Sequence, residues 1–134
     1  MKPRPDEFSP RIVVVEDNGP TLRIVSDFLA QSGFDVARAG TASEAKDAIG
    51  KEPCHALLLD LHLPDSNGNA FVREVRNHPD PGVSNIVIAL LTASSLSADR
   101  DDCLRAGADL YLTKPIRLRE LARLLKGYIR SRFP

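Results

Sequence analysis

Ala56-Leu57-Leu58-Leu59-Asp60-Leu61-His62-Leu63-Pro64-Asp65-Ser66-Asn67-Gly68 reads as a strand that ends on an acid and runs into a turn. Ala56 to Leu59 is apolar without alternation. A short run of that kind fits a strand covered on both faces, as in a parallel sheet. Pro64, Asp65, Ser66, Asn67 and Gly68 are turn formers by different routes. Proline presets φ, the Asp, Asn and Ser side chains bond to nearby backbone, and glycine reaches conformations closed to other residues. Asp60 stands at the junction.

The same pattern recurs on either side. Upstream, Ile12-Val13-Val14-Val15 is a β-branched apolar run that ends on Glu16-Asp17. Phe34 to Ala39 is a weaker second strand. Downstream, Ile86 to Leu91 and Leu110-Tyr111-Leu112 complete the strands, and the latter runs on to Lys114. Helical spacing fills the gaps. Pro20 to Ser32 places Leu22, Val25, Phe28 and Leu29 on one side, with Pro20 suited to a first turn and Gly33 to a stop. Thr41 to Ile49 opens on a cap candidate with Glu44 three residues on, the pattern of a capping box. Ala70 to Arg76 carries Phe71, Val72 and Val75, and His78-Pro79-Asp80-Pro81-Gly82 breaks it. Ser97 to Ala106 is polar and closes at Gly107. Leu118 to Ile129 carries the stripe Leu118, Leu121, Ala122, Leu125 and Ile129. Five strands alternating with five helices predict an α/β fold of parallel βαβ units, with helices on both sheet faces.

A length of 134 residues fits one domain. Residues 1–10, with three prolines, read as a flexible leader, and residues 11–131 as the folded domain, with no room for an output domain. A formal net charge of zero gives no global drive toward nucleic acid or an anionic membrane. No apolar run reaches the roughly 18 residues of a membrane span, and the N-terminus lacks a signal peptide. Cys54 and Cys103 read as reduced thiols of a cytoplasmic chain. Arg117, Arg119, Arg123, Lys126, Arg130 and Arg132 face Glu120 alone in the last helix. They read as a solvated face that also suits a helix C-terminus. A docking face for an acidic partner is the other reading.

Ligands of open α/β sheets bind beyond the carboxyl ends of the strands. Parallel strands bring Glu16, Asp17, Asp60, Thr92 and Lys114 to one edge. Each alone has an ordinary structural reading as cap, turn former or surface lysine. Together they suit one reaction. Carboxylates held close repel, and a hard divalent cation relieves that repulsion; oxygen donors favour Mg2+ over zinc. The three histidines, His55, His62 and His78, and the two cysteines show no zinc-ligand spacing. With the cation in place, one carboxylate can attack phosphorus, while Lys114 adds positive charge and Thr92 a hydrogen bond.

These residues resemble the receiver domains of two-component and phosphorelay response regulators, including those fused to hybrid sensor kinases. The resemblance runs from Arg11 to about Ile129. It rests on Val15-Glu16-Asp17, on Leu59-Asp60-Leu61-His62-Leu63-Pro64 leading to Gly68, on Leu91-Thr92-Ala93, and on Tyr111-Leu112-Thr113-Lys114-Pro115. It implies a flavodoxin-like, doubly wound sheet in the strand order 2-1-3-4-5 known for this family. It implies Asp60 as phosphoacceptor, and Glu16, Asp17, Asp60 and the His62 backbone carbonyl as Mg2+ ligands. Lys114 would pair with the phosphoryl group, Thr92 would swing toward it, and Tyr111 would change rotamer in concert. Lys114-Pro115 would be a cis peptide. The donor would be a histidine kinase or histidine phosphotransfer protein. A downstream effector would read the face of the fourth helix, fifth strand and fifth helix. The domain would be a switch that assists its own phosphorylation and dephosphorylation, a monomer or weak dimer with no direct contact to nucleic acid or membrane. His62 and Ser94 depart from common forms and would sit at the rim, where they either set the rate of hydrolysis or have no such effect. An inert interaction or dimerisation module is one alternative. A Mg2+-dependent phosphohydrolase is another, although such enzymes place a second Asp where His62 stands.

Overall fold

The computed structural model describes residues 9–93 and 96–134. Five strands and six helical segments alternate along it: β1 (Arg11–Val15), α1 (Gly19–Gln31), β2 (Asp35–Ala39), α2 (Ala42–Lys51), β3 (Ala56–Asp60), α3 (Gly68–Arg76), α4 (Pro81–Ser84), β4 (Val87–Thr92), α5 (Ser97–Ala106), β5 (Leu110–Thr113) and α6 (Leu118–Arg132). All strand pairings are parallel, in the order β2-β1-β3-β4-β5. The expected flavodoxin-like sheet is therefore present.

The apolar strand sequences follow from burial on both faces. On one face Val13, Leu57, Leu59, Ile88 and Leu90 pack against Ala45 and Ile49 of α2, Phe71, Val72 and Val75 of α3, and Cys103 of α5. On the other, Ile12, Val14, Leu58 and Ala89 pack against Val25 and Leu29 of α1 and Leu121, Leu125 and Ile129 of α6. Edge strand β2 is less buried, which explains its weaker sequence signal.

Three local details differ from the sequence expectations. The stretch read as a helix breaker holds the one-turn α4, because Asp80 Oδ1 accepts from Gly82 N at 2.9 Å and Pro81 suits a first turn. The expected capping box is shifted by one residue. Thr41 Oγ1 accepts from Glu44 N at 3.1 Å, but the Glu44 carboxylate accepts from Gly40 N at 2.8 Å. Arg132 is not part of a solvated stripe, since its guanidinium donates to both Asp109 oxygens, at 2.6 and 3.1 Å. Of the residues read as leader, 1–8 lie outside the described residues. Ser9 donates to Gly33 O at 3.0 Å, and Pro10 O accepts from Asp35 N at 2.9 Å. The Lys114–Pro115 peptide is cis. Among the described residues, no helix is long and apolar enough to cross a membrane.

Candidate functional site

The register explains why the chemistry collects at one edge. Val15 pairs with Leu59, Asp60 with Leu91, and Thr92 with Thr113. The residues that follow or end these strands therefore stand side by side. Glu16 and Asp17 leave β1, Asp60 ends β3, Thr92 ends β4, and Lys114 leaves β5, held by a 2.7 Å hydrogen bond from its amide to Thr92 O.

Lys114 Nζ lies 3.3 Å from Asp60 Oδ2 and 3.4 Å from Glu16 Oε1. Carboxylate oxygens of Glu16, Asp17 and Asp60 all lie within 4.8 Å of one another. Asp60 Oδ1 also accepts from His62 N at 3.1 Å. Glu16 is buried and Asp17 exposed, so the cluster is open on one side. Behind it, Val15, Val25, Leu59 and Leu91 line the recess that Glu16, Asp60 and Lys114 share. The charges therefore face an apolar wall, which strengthens every interaction among them.

One ammonium among three carboxylates leaves negative charge in excess. Burial, together with the hydrogen bond and charge of Asp60, pushes the Glu16 carboxyl up to about 7. Asp60 goes the other way. Burial raises it, but the hydrogen bond with Glu16, the His62 amide and Lys114 together hold it below its ordinary value. Burial works against the Lys114 ammonium, yet Asp60 and Glu16 outweigh it and hold its pKa above the usual lysine value. With both acids ionised, Glu16 Oε2 is buried without a hydrogen-bond partner. A proton on Glu16 lets it donate to Asp60. The coupled pair thus shares a proton near neutrality, with Glu16 shifted up and Asp60 shifted down.

The remaining residues of the expected set stand close by. Thr92 is 1% exposed. Tyr111 is half-buried on β5 and packs on the face covered by α2, α3 and α5. The His62 side chain is exposed at the rim. Ser94 lies outside the described residues. Sequence reasoning saw Asp65 only as a turn former, and it missed Asp109. The Asp65 carboxylate accepts from Ala42 N and Ser43 N, at 2.9 and 3.1 Å. Asp109 joins Arg76 and Arg132 at the opposite end of the sheet. No local pattern announces either, because each partner is more than twenty residues away.

Comparison with known proteins agrees with this geometry. Residues 12–126 match the response regulator receiver domain family. The TorCAD operon transcriptional regulatory protein TorR of Escherichia coli is 34% identical over 118 residues, covering 88% of this chain and 49% of TorR. The transcriptional regulatory protein PrrA of Mycobacterium tuberculosis is 35% identical over 124 residues, covering 92% of this chain and 52% of PrrA. The chain thus spans about half the length of these curated relatives. A solved receiver domain of a Pseudomonas aeruginosa sensor histidine kinase has a magnesium ion coordinated in its active site cleft. It is 31% identical, with a TM-score of 0.82 over 92% of this chain and 100% of that one. A CheY-like receiver domain protein from Methanospirillum hungatei is 26% identical, with a TM-score of 0.84 over 93% of this chain and 97% of that one. By family match, curated relatives and fold alike, this chain belongs to the receiver domains of two-component response regulators.

Proposed function

We propose that Asp60 is the phosphoacceptor of this receiver, taking a phosphoryl group from a phosphohistidine of a histidine kinase or histidine phosphotransfer protein. The observation that carries this assignment is the set of contacts that Asp60 makes at the end of β3. Its Oδ1 accepts from the His62 amide at 3.1 Å and its Oδ2 lies 3.3 Å from Lys114 Nζ, contacts that favour its ionised form, whereas burial and the neighbouring Asp60 raise the Glu16 carboxyl. An acyl phosphate forms when an Asp60 oxygen bonds phosphorus as the P–N bond to the donor histidine breaks. Only an ionised carboxylate offers the electron pair for that step. Lys114 is placed to follow the transferred charge, and Thr92 to donate to a phosphoryl oxygen once it arrives.

The site fits Mg2+. It offers three carboxylates of mixed burial and an orphaned Glu16 oxygen, a hard donor set without thiolate or imidazole. Glu16, Asp17 and Asp60 would hold the ion, with the His62 backbone carbonyl as the fourth protein ligand. Bound there, it would neutralise the excess carboxylate charge and the charge on the phosphoryl oxygens.

Phosphorylation then shifts a two-state equilibrium. Thr92 and Tyr111 carry the change to the surface of α5, β5 and α6, where an effector protein reads it. Leu104 on α5 and Tyr128 on α6 are exposed there and offer apolar contacts. The free, buried thiols Cys54 and Cys103 suit a reducing cytoplasm. Incubation with acetyl phosphate and Mg2+, followed by intact mass measurement, tests the assignment. A phosphorylated species is expected in the wild type and absent in Asp60→Asn. Undiminished phosphorylation of Asp60→Asn, or none of the wild type, overturns it.

A further inference from the structure

Asp65 sits at the tip of the loop between β3 and α3, and that loop is built as a small clamp. Its base is closed by an antiparallel bridge between His62 and Asn67 and by a 2.8 Å hydrogen bond from Gly68 N to Leu61 O. At its tip the Asp65 carboxylate reaches across to α2, accepting from Ala42 N with one oxygen and Ser43 N with the other. A helix leaves its first amides without intrahelical partners. In α2 the first two are satisfied by Asp65 and the third, Glu44 N, by Thr41. The loop is thus pinned to an element outside itself. That element is well placed: Gly40 lies just before α2, beside Glu16, whose amide is bonded to Ala39 O at 3.0 Å. One contact therefore ties the segment carrying Asp60 and His62 to the segment carrying Glu16.

We propose that Asp65 is a positioning residue of the phosphorylation site. By fixing the loop tip to the N-terminus of α2, it holds the backbone of His62 in place for cation binding. Asp65 is exposed and its carboxylate is bonded to the two α2 amides, so it acts through the loop and not on the reacting atoms. The two amides also keep its carboxyl below the usual value, so it remains an acceptor throughout the neutral range. This inference rests on the proposed Mg2+ site, and the experiment separates the two.

Mg2+ titration by calorimetry or amide NMR is run on the wild type, Asp65→Ala, Asp65→Asn and Thr41→Ala. Thr41→Ala removes a cap from the same helix without touching the loop. Supporting groups behind a metal ligand typically change affinity by about tenfold or more. Asp65→Ala is expected to bind Mg2+ about tenfold more weakly. Asp65→Asn, which keeps one acceptor oxygen, is expected to fall between it and the wild type. Thr41→Ala should lose thermal stability yet keep the wild-type affinity. In the cation-free protein, the amides of His62 and Gly68 should exchange faster in Asp65→Ala and unchanged in Thr41→Ala. Equal Mg2+ affinity in Asp65→Ala and the wild type overturns the positioning role. So does an equal loss of affinity in Thr41→Ala, which would reduce Asp65 to a helix cap. A wild type that binds no Mg2+ refutes the site itself, and with it the inference.

Discussion

The proton that Glu16 holds near neutrality makes Mg2+ binding a measurable exchange. Without the cation, the Glu16 carboxyl is pushed up to about 7 by burial and by Asp60. A Mg2+ ligand must be ionised, so each ion that binds displaces whatever proton is there. A raised carboxyl pKa means the competing, protonated form grows as pH falls through about 7. Apparent affinity then scales as the ionised fraction, roughly nine-tenths at pH 8, one-half at pH 7 and one-tenth at pH 6. The structure therefore predicts about a tenfold loss of Mg2+ affinity between pH 8 and pH 6, and release of about half a proton per ion at pH 7. Calorimetric titration in buffers of differing ionisation enthalpy reads both quantities. Glu16→Gln should bind more weakly overall and with a nearly flat profile over the same range, since Asp60 is already ionised there. A wild-type affinity that changes less than about twofold across this range, with an enthalpy indifferent to buffer, would refute the electrostatic picture of the site.

Three further outcomes follow from other parts of the molecule. Asp109 accepts from Arg76, Arg132 and Ile88 N, and side-chain exposures of 21% and 26% leave the two guanidinium groups partly shielded. Asp109→Ala should cost about 2–3 kcal/mol in urea denaturation, the buried-pair figure discounted for that exposure. Burial raises the Asp109 carboxyl, but the Arg132 hydrogen bond, the Ile88 amide and the Arg76 charge hold it below its ordinary value. Its contribution is therefore complete above about pH 4 and fades as pH falls below that, so the gap between variant and wild type should close in acid. Gly68→Ala would set a methyl group 2.8 Å from Leu61 O and 2.9 Å from Leu61 Cα. Backbone must shift there, at a cost of about 1–3 kcal/mol in thermal or urea melts, with Mg2+ binding weakened because the loop base opens. His62→Met should change the lifetime of the phosphorylated protein, measured by loss of the phosphorylated mass, because the exposed imidazole stands at the rim where water enters; an unchanged lifetime sinks that role.

Much of this architecture was legible because parallel sheets leave a strong trace in sequence. Ile12 to Val15 and Ala56 to Leu59 lack a polar face because helices cover both sides, and that absence alone argues for crossovers. Parallelism then fixes that strand ends share an edge, so Glu16, Asp60 and Lys114 could be gathered without any distance. The unread parts depend on partners far apart in the chain. Asp65 looks like any turn residue until α2 is placed beside it. Arg132 looks like one more cation of a basic helix until Asp109 is found beneath it. Pro81 looks like a breaker because proline serves equally well at a break and at a helix start.

The two ends of the sheet show how charge was divided between support and function. At the amino edge, two guanidinium groups share one carboxylate. The donors left over are taken by the carbonyls of Ser84, Ile86 and Gly107. At the carboxyl edge, three carboxylates share one ammonium, and a buried Glu16 oxygen has no partner. The first cluster carries one positive charge in excess, but backbone carbonyls take up its remaining guanidinium donors, and it serves to hold the fold together. The second is short of positive charge and of hydrogen-bond donors. A net charge of zero conceals this asymmetry, since it sums over both ends. The deficit is confined to the edge where strand ends converge, and a divalent cation followed by a phosphoryl group would change its charge twice. Each change alters what Lys114 and Thr92 are attracted to, and those two residues are joined by the backbone hydrogen bond between β4 and the end of β5. A switch needs a site whose charge is incomplete at rest and a connection from it to the surface. Among the described residues, the carboxyl edge of this sheet has both.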